Sequence, residues 1–589
     1  MSHSTHLRIL EASGLVSLVN VLPEVEYLFR HTLIQEAAYG SLLKSDRQAL
    51  HRITGSVLED IYREREEEIA PILAGHFYAA SDYERALRYF TISGDKAMEI
   101  YAIPEAIEHY KYALDIAKRD RSWQNKINRL FSQLGIAYEL NAQYNQALEC
   151  YRDMESLANE NRDEAMRLAG IIARAKVYAT PSAVHDADRA QKLSNLALEL
   201  AEKIGDRTSQ ARIHWILGLL YARTGKFIDS IVHHEQALAL ARKLDHKELM
   251  AYTLNDVSQP YVSTYQFEKG YQALKEAQSL WRSLGNLPML VDNLSTLIAY
   301  DYFNGEYDPA LAKYQEAAAL SESIGNLWGQ AYCRMYVGDI YFDRGHPEEA
   351  IQLMKQCIQL AEEAGFIVPL LQTQAELGYI YAYLGDIERG LATIDKALIN
   401  RSQEIVGWGA WALAIKARVH AQRNEFEEAR KLMQNAEKAL QQGDPLGFAR
   451  IVLQGLYCEL ALAEKDYPRA LEISQLFETE VITDIRLFTP WLYYMRGVTL
   501  LETGQHADAH DALTKALEHA ENMHSRIIIW QVQAALAELA DRQGKSDQSR
   551  QHRALAREII NYIAARTGSE ELRESFLNRK DVIALRESQ

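Results

Sequence analysis

The chain has 589 residues and a formal net charge of −17, from 64 Lys and Arg against 81 Asp and Glu. Hydrophobic residues make up 48% and charged residues 25% of it, which excludes a disordered chain and supplies ample material for a packed core. The acidic excess argues against nucleic acid as a partner, because Lys and Arg are what neutralise phosphates. We therefore expect a globular protein that binds no nucleic acid.

The termini and the cysteines predict where the protein resides. The start, Met1 to His6, has neither the basic nor the apolar segment of a secretory signal. The longest uncharged apolar stretch, 407–415, is about half of what a bilayer span needs. The four cysteines are far apart and form no CxxC, so we expect a reduced compartment and neither a disulfide framework nor a zinc site. Together these features predict a cytoplasmic protein without membrane contact.

The first eighty residues differ from the rest of the chain. Residues 7–21 predict a short helix followed by a strand, and residues 24–29 alternate in polarity like a second strand. Residues 31–43 have the spacing of an amphipathic helix.

From about residue 95 onward, the chain repeats itself every 39 to 43 residues. A small residue marks each repeat, at Ala106, Ala147, Ala190, Ser230, Gly270, Ala310, Ala350, Gly390, Ala429, Ala470, Ala509 and Ser549. Seven residues later stand Ala113, Met154, Ala197, Ala237, Ala277, Ala317, Cys357, Ala397, Ala436, Phe477, Ala516 and Ala556. Twelve residues before the mark there is often a glycine, as at Gly135, Gly218, Gly338, Gly378 and Gly497.

This pattern predicts one helix pair per repeat. Spacings of three, four and seven residues keep side chains on one helical face, and small side chains there let two helices approach closely. Turns such as Asn304–Tyr307 separate the helices, and a glycine just past a helix, as at Gly285, can take the left-handed conformation that caps it. No β-rich segment is expected between residues 53 and 565.

The repeat resembles the tetratricopeptide repeat (TPR), although it is about 40 residues long instead of the usual 34. In length it is similar to the MalT-type repeats of signal-transduction ATPases (STAND proteins). The resemblance implies an all-α fold, an α-solenoid in which each repeat contacts mainly its neighbours and a concave face forms.

Two further segments resemble the same ATPases. Residues 27–59, beginning YLFRHTLIQEAAYG, are similar to the segment that joins a winged-helix module to the repeats in bacterial nucleotidyl cyclase–ATPases and in soluble adenylyl cyclase. Residues 570–587 resemble the end of those proteins. The sequence lacks a cyclase domain and most of the winged helix, so we expect a fragment or a gene that kept only the sensor half.

These features divide the chain into four predicted parts. Residues 1–50 are a partial winged-helix remnant, 51–94 are linking helices, 95–565 are the TPR-like array of about twelve helix pairs, and 566–589 are a C-terminal capping tail.

Three sequence motifs resemble catalytic or ligand-binding motifs, but each lacks a feature that such a site requires. Gly225-Lys226 and Gly544-Lys545 lack the glycine five residues earlier that a phosphate-binding loop needs. Gly407-Trp-Gly409 has no preceding strand, as a dinucleotide site would require. His506 and His510 lack a third metal ligand. We expect no enzymatic activity, cofactor or metal.

The first helix of each pair lines the concave face of a TPR array, and we expect its exposed positions to bind a partner. They carry aromatic rings, amides and carboxylates, and Tyr and Trp in particular are enriched at binding surfaces. The candidates are Tyr252, Asn255, Gln259, Asp292, Tyr302, Tyr332, Asp339, Gln372, Tyr379, Tyr383, Trp411 and Arg418. The alternative is that the tyrosines only pack between helices. An acidic groove favours a basic or neutral partner.

The sequence thus predicts a sensor or scaffold that binds a protein segment or a small effector and regulates a signalling ATPase or an output domain. One alternative is that the chain is the C-terminal regulatory part of a nucleotidyl cyclase–ATPase. Another is a structural adaptor that forms a homodimer through apolar residues of its N-terminal segment, such as Leu15, Val19, Leu28 and Phe29.

Overall fold

The computed structural model divides the chain into two compact units, which meet in sequence between Ile204 and Gly205. Each unit is an array of antiparallel helices, so the fold is an all-α solenoid with one very small sheet. The structure describes residues 3–20, 26–100, 102–180, 182, 184–399, 406–441, 448–481 and 485–587. No helix in these ranges combines the length and the apolar character needed to cross a membrane.

The first unit opens with helix α1 (His3–Ala12) and strands β1 (Val16–Asn20) and β2 (Glu26–Phe29). The two strands pair antiparallel, with Val16 opposite Phe29. The predicted order of helix, strand, strand is therefore confirmed. Residues 21–25, where one predicted strand ends and the other begins, lie outside the described residues.

Helices make up the remainder of the first unit. They are α2 (Thr32–Ser41), α3 (Lys44–Ile61), α4 (Glu66–Ala79), α5 (Tyr83–Glu99), α6 (Ile103–Ala117), α7 (Gln124–Leu140), α8 (Tyr144–Asn161), α9 (Glu164–Ala179) and α10 (Ala187–Ile204).

The second unit continues the same succession of helices. They are α11 (Arg207–Arg223), α12 (Phe227–Lys243), α13 (Lys247–Asp256), α14 (Ser258–Ser263), α15 (Phe267–Leu284), α16 (Leu287–Phe303), α17 (Tyr307–Ser323), α18 (Leu327–Arg334), α19 (Val337–Asp343), α20 (Pro347–Ala364), α21 (Ile367–Tyr383), α22 (Ile387–Ile399), α23 (Val406–Gln422), α24 (Phe426–Gln441), α25 (Phe448–Ala463), α26 (Tyr467–Val481), α27 (Thr489–Glu502), α28 (His506–Met523), α29 (Arg526–Arg542), α30 (Ser546–Ala564), α31 (Glu570–Leu577) and α32 (Lys580–Glu587). In two repeats the first helix is in two pieces, α13 with α14 and α18 with α19.

The small residues that recur once in each repeat, from Ala106 to Ser549, form the seams between paired helices. All twelve lie in the second helix of a pair and are essentially inaccessible to solvent. The residues seven positions later are buried in the same way, except that the side chain of Phe477 lies outside the described residues. The repeat period therefore corresponds to the contact line between paired helices, as predicted.

Steric contact explains the glycines that often stand twelve positions before these small residues. A Cβ atom on Gly378 would lie 2.6 Å from the carbonyl oxygen of Gly390 in the partner helix, closer than real Cβ contacts come. The helix ends also follow the prediction. Gly285 ends α15 with φ +67°, and Asn286 then caps α16 by accepting a hydrogen bond from the Met289 amide at 3.2 Å.

The second unit closes on itself, which its repeat pattern does not predict. Helices α29 to α32 pack against α19 to α21 in one hydrophobic cluster that includes Phe342, Tyr383, Trp530, Ile560 and Phe576. Polar contacts reinforce it. Ser525 Oγ donates to Asp343 Oδ1 at 2.7 Å, and an Arg526 guanidinium nitrogen donates to the Arg344 carbonyl at 2.9 Å. Residues nearly two hundred positions apart are thereby brought together.

Candidate binding site

The closed second unit surrounds a cavity of about 150 Å³. Most of its wall comes from α16, α19, α21, α23, α25, α27 and α29, which are first helices of successive repeats. The cavity therefore lies on the inner face of the array, where the sequence predicts the partner to bind.

Aromatic rings form much of the wall. They belong to Tyr302, Tyr307, Phe342, Tyr379, Trp411, Phe488 and Trp491. Such rings offer rigid apolar surface, and a cation can also approach their faces favourably.

Three carboxylates line the same cavity: Asp339, Asp343 and Glu376. Trp411 Nε1 donates to Glu376 Oε1 at 2.7 Å. Burial raises the pKa of Glu376 to about 7, although the hydrogen bond from Trp411 and the charge of Arg418 both act to lower it. Burial thus favours the neutral form of the Glu376 carboxyl group.

The Asp339 carboxyl group has weaker hydrogen bonding than that of Glu376. Gln372 Nε2 donates to Asp339 Oδ2 at a long 3.3 Å. Burial, followed by the negative charge of Glu376, raises the pKa of Asp339 well above its ordinary value. Two carboxyl groups in one buried space disfavour double ionisation.

Asp343 is satisfied by two hydroxyl groups. Tyr307 donates to its Oδ2 at 2.7 Å and Ser525 to its Oδ1 at 2.7 Å. Burial raises the pKa of Asp343, and these two hydrogen bonds act in the opposite direction.

Arg418 is the cation among the described residues of the cavity wall, and it is already paired. Its Nε and Nη2 donate to the two carboxylate oxygens of Glu459 at 3.1 and 2.8 Å. Its guanidinium lies 4.7 Å from the ring centre of Tyr379 and 4.8 Å from that of Trp491. Trp491 Nε1 also donates to Glu459 Oε1 at 2.7 Å. Glu459 and the two rings therefore hold Arg418 in place in the wall.

The predicted site residues fall into three groups. Five of them line this cavity: Tyr302, Asp339, Tyr379, Trp411 and Arg418. Four line a second, more open pocket of about 310 Å³: Asn255, Gln259, Asp292 and Tyr332. The other three, Tyr252, Gln372 and Tyr383, have mainly structural contacts.

In the second pocket, Asn255 Nδ2 donates to Asp292 Oδ2 at 3.0 Å. Burial raises the pKa of Asp292 to about 6 and that of neighbouring Asp256 to about 7. Tyr332 contacts the hydroxyl of Thr296 through its own at 3.3 Å.

The three remaining residues pack against protein groups. Tyr252 lies beside Trp215 and Trp281, with ring centres 5.6 and 4.8 Å away. Gln372 donates a hydrogen bond to Asp339. Tyr383 contacts Trp530 of α29 and Phe576 of α31. Tyr252 and Tyr383 thus pack between helices.

The expectation that all these positions are exposed was wrong for several of them. Buried side chains are found at Asn255, Asp339, Gln372, Tyr383 and Trp411. The physical reason is contact with other helices. Helices α29 and α31 cover Tyr383, and the other four side chains have hydrogen-bond partners on neighbouring repeats.

Two residues of the cavity wall, Glu376 and Trp491, were missed. So was Glu459, which pairs with Arg418 of the wall. A signal for one of them was present. Glu376 lies four residues after Gln372 and three before Tyr379, so it shares their helix face. Glu459 and Trp491 belong to repeats in which no candidate was named.

Comparisons with known proteins agree with a repeat region. The tetratricopeptide repeat family matches residues 410–435. An uncharacterized protein of Rhizobium meliloti (strain 1021) is 31% identical over 104 residues, which are 18% of this chain and 10% of that protein. The chain thus spans about a tenth of the length of this relative.

Solved structures with a similar arrangement have low sequence identity. A STAND protein with a tetratricopeptide repeat sensor from Pyrococcus horikoshii is 14% identical, with a TM-score of 0.42 over 73% of this chain and 61% of that one. A Rap protein complexed with competence and sporulation factor is 11% identical, with a TM-score of 0.41 over 69% and 99%. Yeast Tom70 is 13% identical, with a TM-score of 0.32 over 85% and 96%. Together, the helix pairs and the match at 410–435 make this repeat region TPR-like.

Proposed function

We propose that the chain is a non-enzymatic interaction scaffold whose second unit takes up a protein segment or a small effector in the inner cavity. The observation that carries this proposal is the cavity itself, whose wall comes from the first helices of seven repeats. Aromatic surface with a few converging polar groups is typical of sites that bind small ligands or single side chains.

The position of the cavity offers a way to transmit binding. Its wall includes both sides of the closure, Asp343 on α19 and Ser525 just before α29. A ligand that contacts both sides favours the closed arrangement over an open one, and such differential affinity is what shifts a conformational equilibrium.

In this proposal the scaffold works in the cytoplasm as the sensor of a signalling ATPase or an output domain. Residues 1–50, as a winged-helix remnant, and 51–94, as linking helices, would connect the array to that output. The tail, 566–589, would cap it. The alternative of a regulatory part of a nucleotidyl cyclase–ATPase differs only in the identity of the output domain.

The test is selection from a displayed random peptide library against the full chain, followed by affinity measurement on each enriched peptide. Ile528 lines the cavity and is only partly buried, so Ile528→Trp should fill it. Ile228→Trp, at a position 64% exposed on α12, is the matched control. Peptides should bind the parent and the control and lose at least about ten-fold in affinity for Ile528→Trp. Equal affinity for all three proteins would contradict the proposal.

A second candidate function is self-assembly through the N-terminal segment. Four apolar side chains on α3 are at least half exposed: Leu50, Ile53, Val57 and Ile61. Leu28 of β2 is 52% exposed. The four positions on α3 follow helical spacing and thus form one apolar stripe.

Light scattering on the full chain tests this second candidate. A dimer should have twice the mass of the chain, and Ile53→Glu should return it to a monomer. Ile399→Glu, at an even more exposed position of the second unit (81% against 61% for Ile53), should leave the mass unchanged. A parent protein that is already monomeric at high concentration would remove the candidate.

A further inference from the structure

The cavity of the second unit has more negative than positive charge. Asp339, Asp343 and Glu376 line it, and Arg418 is the cation among its described lining residues. Glu459 already neutralises Arg418 through two hydrogen bonds. Ionised, the three carboxylates therefore have no counter-ion of their own in the wall.

Two carboxylate oxygens in the cavity lack a donor. Asp339 is 8% exposed and Glu376 is 9% exposed. Each accepts one hydrogen bond, through Oδ2 from Gln372 and through Oε1 from Trp411. Within the described part of the chain, no donor contacts Asp339 Oδ1 or Glu376 Oε2, because Gln372 and Trp411 donate to the other oxygen of each group. A buried carboxylate left in this condition either takes up a proton or binds a cation.

The arrangement fits an extended cation better than a metal ion. Among the described residues, no three His, Cys, Asp or Glu side chains are grouped so that they could hold a metal ion. A cation with donors that point in several directions can reach carboxylates that do not converge on one point. The planar guanidinium, with five N–H donors, is such a group.

The wall already holds one guanidinium by the same means. Arg418 is bound by a carboxylate and lies over the rings of Tyr379 and Trp491. Rings of Tyr302 and Trp411 line the cavity together with Asp339 and Glu376, so the materials for a second such site are present. A volume of about 150 Å³ accommodates a group the size of benzene, which matches a guanidinium with its adjoining methylenes.

We propose that the Asp339 and Glu376 side of this cavity binds the guanidinium group of a ligand. The group belongs either to an arginine side chain of a peptide or to a small free guanidine. This inference rests on the proposed function in one respect, namely that the cavity is where the ligand of the scaffold binds. It adds the chemical class of that ligand.

Binding of a guanidinium has a consequence for protons. The cation stabilises the ionised carboxylates, whereas burial favours their protonated forms, so binding should release protons. Affinity should therefore rise with pH until both carboxyl groups are ionised in the free protein.

The experiment is calorimetric titration of the full chain at about pH 8 with three probes. They are agmatine, the tripeptide acetyl-Ala-Arg-Ala-amide, and the same tripeptide with citrulline, a neutral isostere of arginine. The two guanidinium probes should bind saturably, and the citrulline peptide at least about ten-fold more weakly. Tighter binding of the peptide than of agmatine identifies a peptide source, and the reverse order a free guanidine.

Isosteric variants locate the binding site. Asp339→Asn and Glu376→Gln should each weaken the guanidinium probes by about ten-fold or more. Both should fold, because burial already favours the neutral carboxyl groups. Asp301→Asn is the control, since Asp301 is buried elsewhere in this unit and already paired with Lys313. Its affinity for the probes should equal that of the parent.

Several results would overturn the inference. They are the absence of saturable binding by both guanidinium probes, equal binding of the citrulline peptide, or unchanged binding in Asp339→Asn and Glu376→Gln. The scaffold function is decided separately. Suppose that library peptides fail to bind Ile528→Trp but still bind Asp339→Asn and Glu376→Gln. This result would support the scaffold function and refute the proposal that the ligand is a guanidinium.

Discussion

Trp530 Nε1 donates a hydrogen bond to the Tyr383 hydroxyl at 2.8 Å, although the two residues are 147 positions apart in the chain. Both side chains are buried. Arg579 adds to the same junction, because it donates to the Tyr383 carbonyl at 2.7 Å and its guanidinium lies 4.4 Å from the centre of the Tyr383 ring. The Tyr383 side chain therefore fastens α29 and the C-terminal helices to α21.

Removal of this hydroxyl should weaken the closure of the second unit. Tyr383→Phe leaves the buried Trp530 N–H without its acceptor, which should cost about 1–3 kcal/mol of unfolding free energy. Tyr381→Phe is a matched control on the same helix, because the buried Tyr381 hydroxyl has no hydrogen-bond partner and its loss should be neutral or slightly stabilising. Urea unfolding followed by circular dichroism measures both. A larger loss for Tyr381→Phe would contradict the assignment.

The contribution of Glu376 to stability should fall as pH rises, because Glu376 is more easily ionised in the unfolded than in the folded chain. Its pKa rises from 4.5 to about 7 on burial. Its stabilising contribution is therefore complete below about pH 4.5 and is lost by about pH 7, with a slope of up to about 1.4 kcal/mol per pH unit. Asp339 should act in the same direction, since its pKa is also raised by burial.

Glu376→Gln isolates this effect. The variant should equal the parent in unfolding free energy near pH 4.5 and exceed it near pH 8. Unfolding curves recorded across this range test the sign. A variant that is less stable than the parent near pH 8 would show that the ionised carboxylate is stabilised in the fold, contrary to its burial.

The Arg418 and Glu459 pair should be costly to break on one side only. Arg418→Met leaves Glu459 partly buried without its cation, and the loss should be about 3 kcal/mol or less, because both side chains keep about a fifth of their surface exposed. Arg418→Met combined with Glu459→Gln should recover part of this loss. Arg282→Met, in an exposed pair with Glu316, should cost less than about 1 kcal/mol. A double variant that is no more stable than Arg418→Met would refute the coupling.

The helix pairs could be predicted from the sequence because their contacts are local and periodic. Each seam residue, such as Ala310 or Ala350, meets the preceding helix of its own repeat, so the same steric demand recurs about every forty residues. The closure is different. The contacts of Trp530 with Tyr383 and of Ser525 with Asp343 each occur once, and a unique contact leaves no period in the sequence.

The candidate site could be predicted in part for the same reason. Tyr302, Tyr379 and Trp411 were placed on the inner face by the repeat register, and they do line the cavity. The repeat register does not predict how deeply a side chain is buried, because burial depends on contacts with other repeats. It therefore predicted the exposure of Asp339 and Gln372 wrongly.

A glycine on the seam should tolerate no side chain. Gly390 on α22 faces α21 so closely that a Cβ atom would lie 2.6 Å from the Gly378 carbonyl oxygen and 3.0 Å from the Ala382 Cβ. Gly390→Ala should thus lose about 1–3 kcal/mol through overpacking, in spite of the better helix propensity of alanine. Gly75→Ala is the control, because Gly75 lies within α4 and a Cβ there meets nothing within 4 Å. That substitution should gain about 0.5–1 kcal/mol. Thermal unfolding of both variants compares them, and a stabilised Gly390→Ala would mean that paired helices approach less closely than the small residues of the seam require.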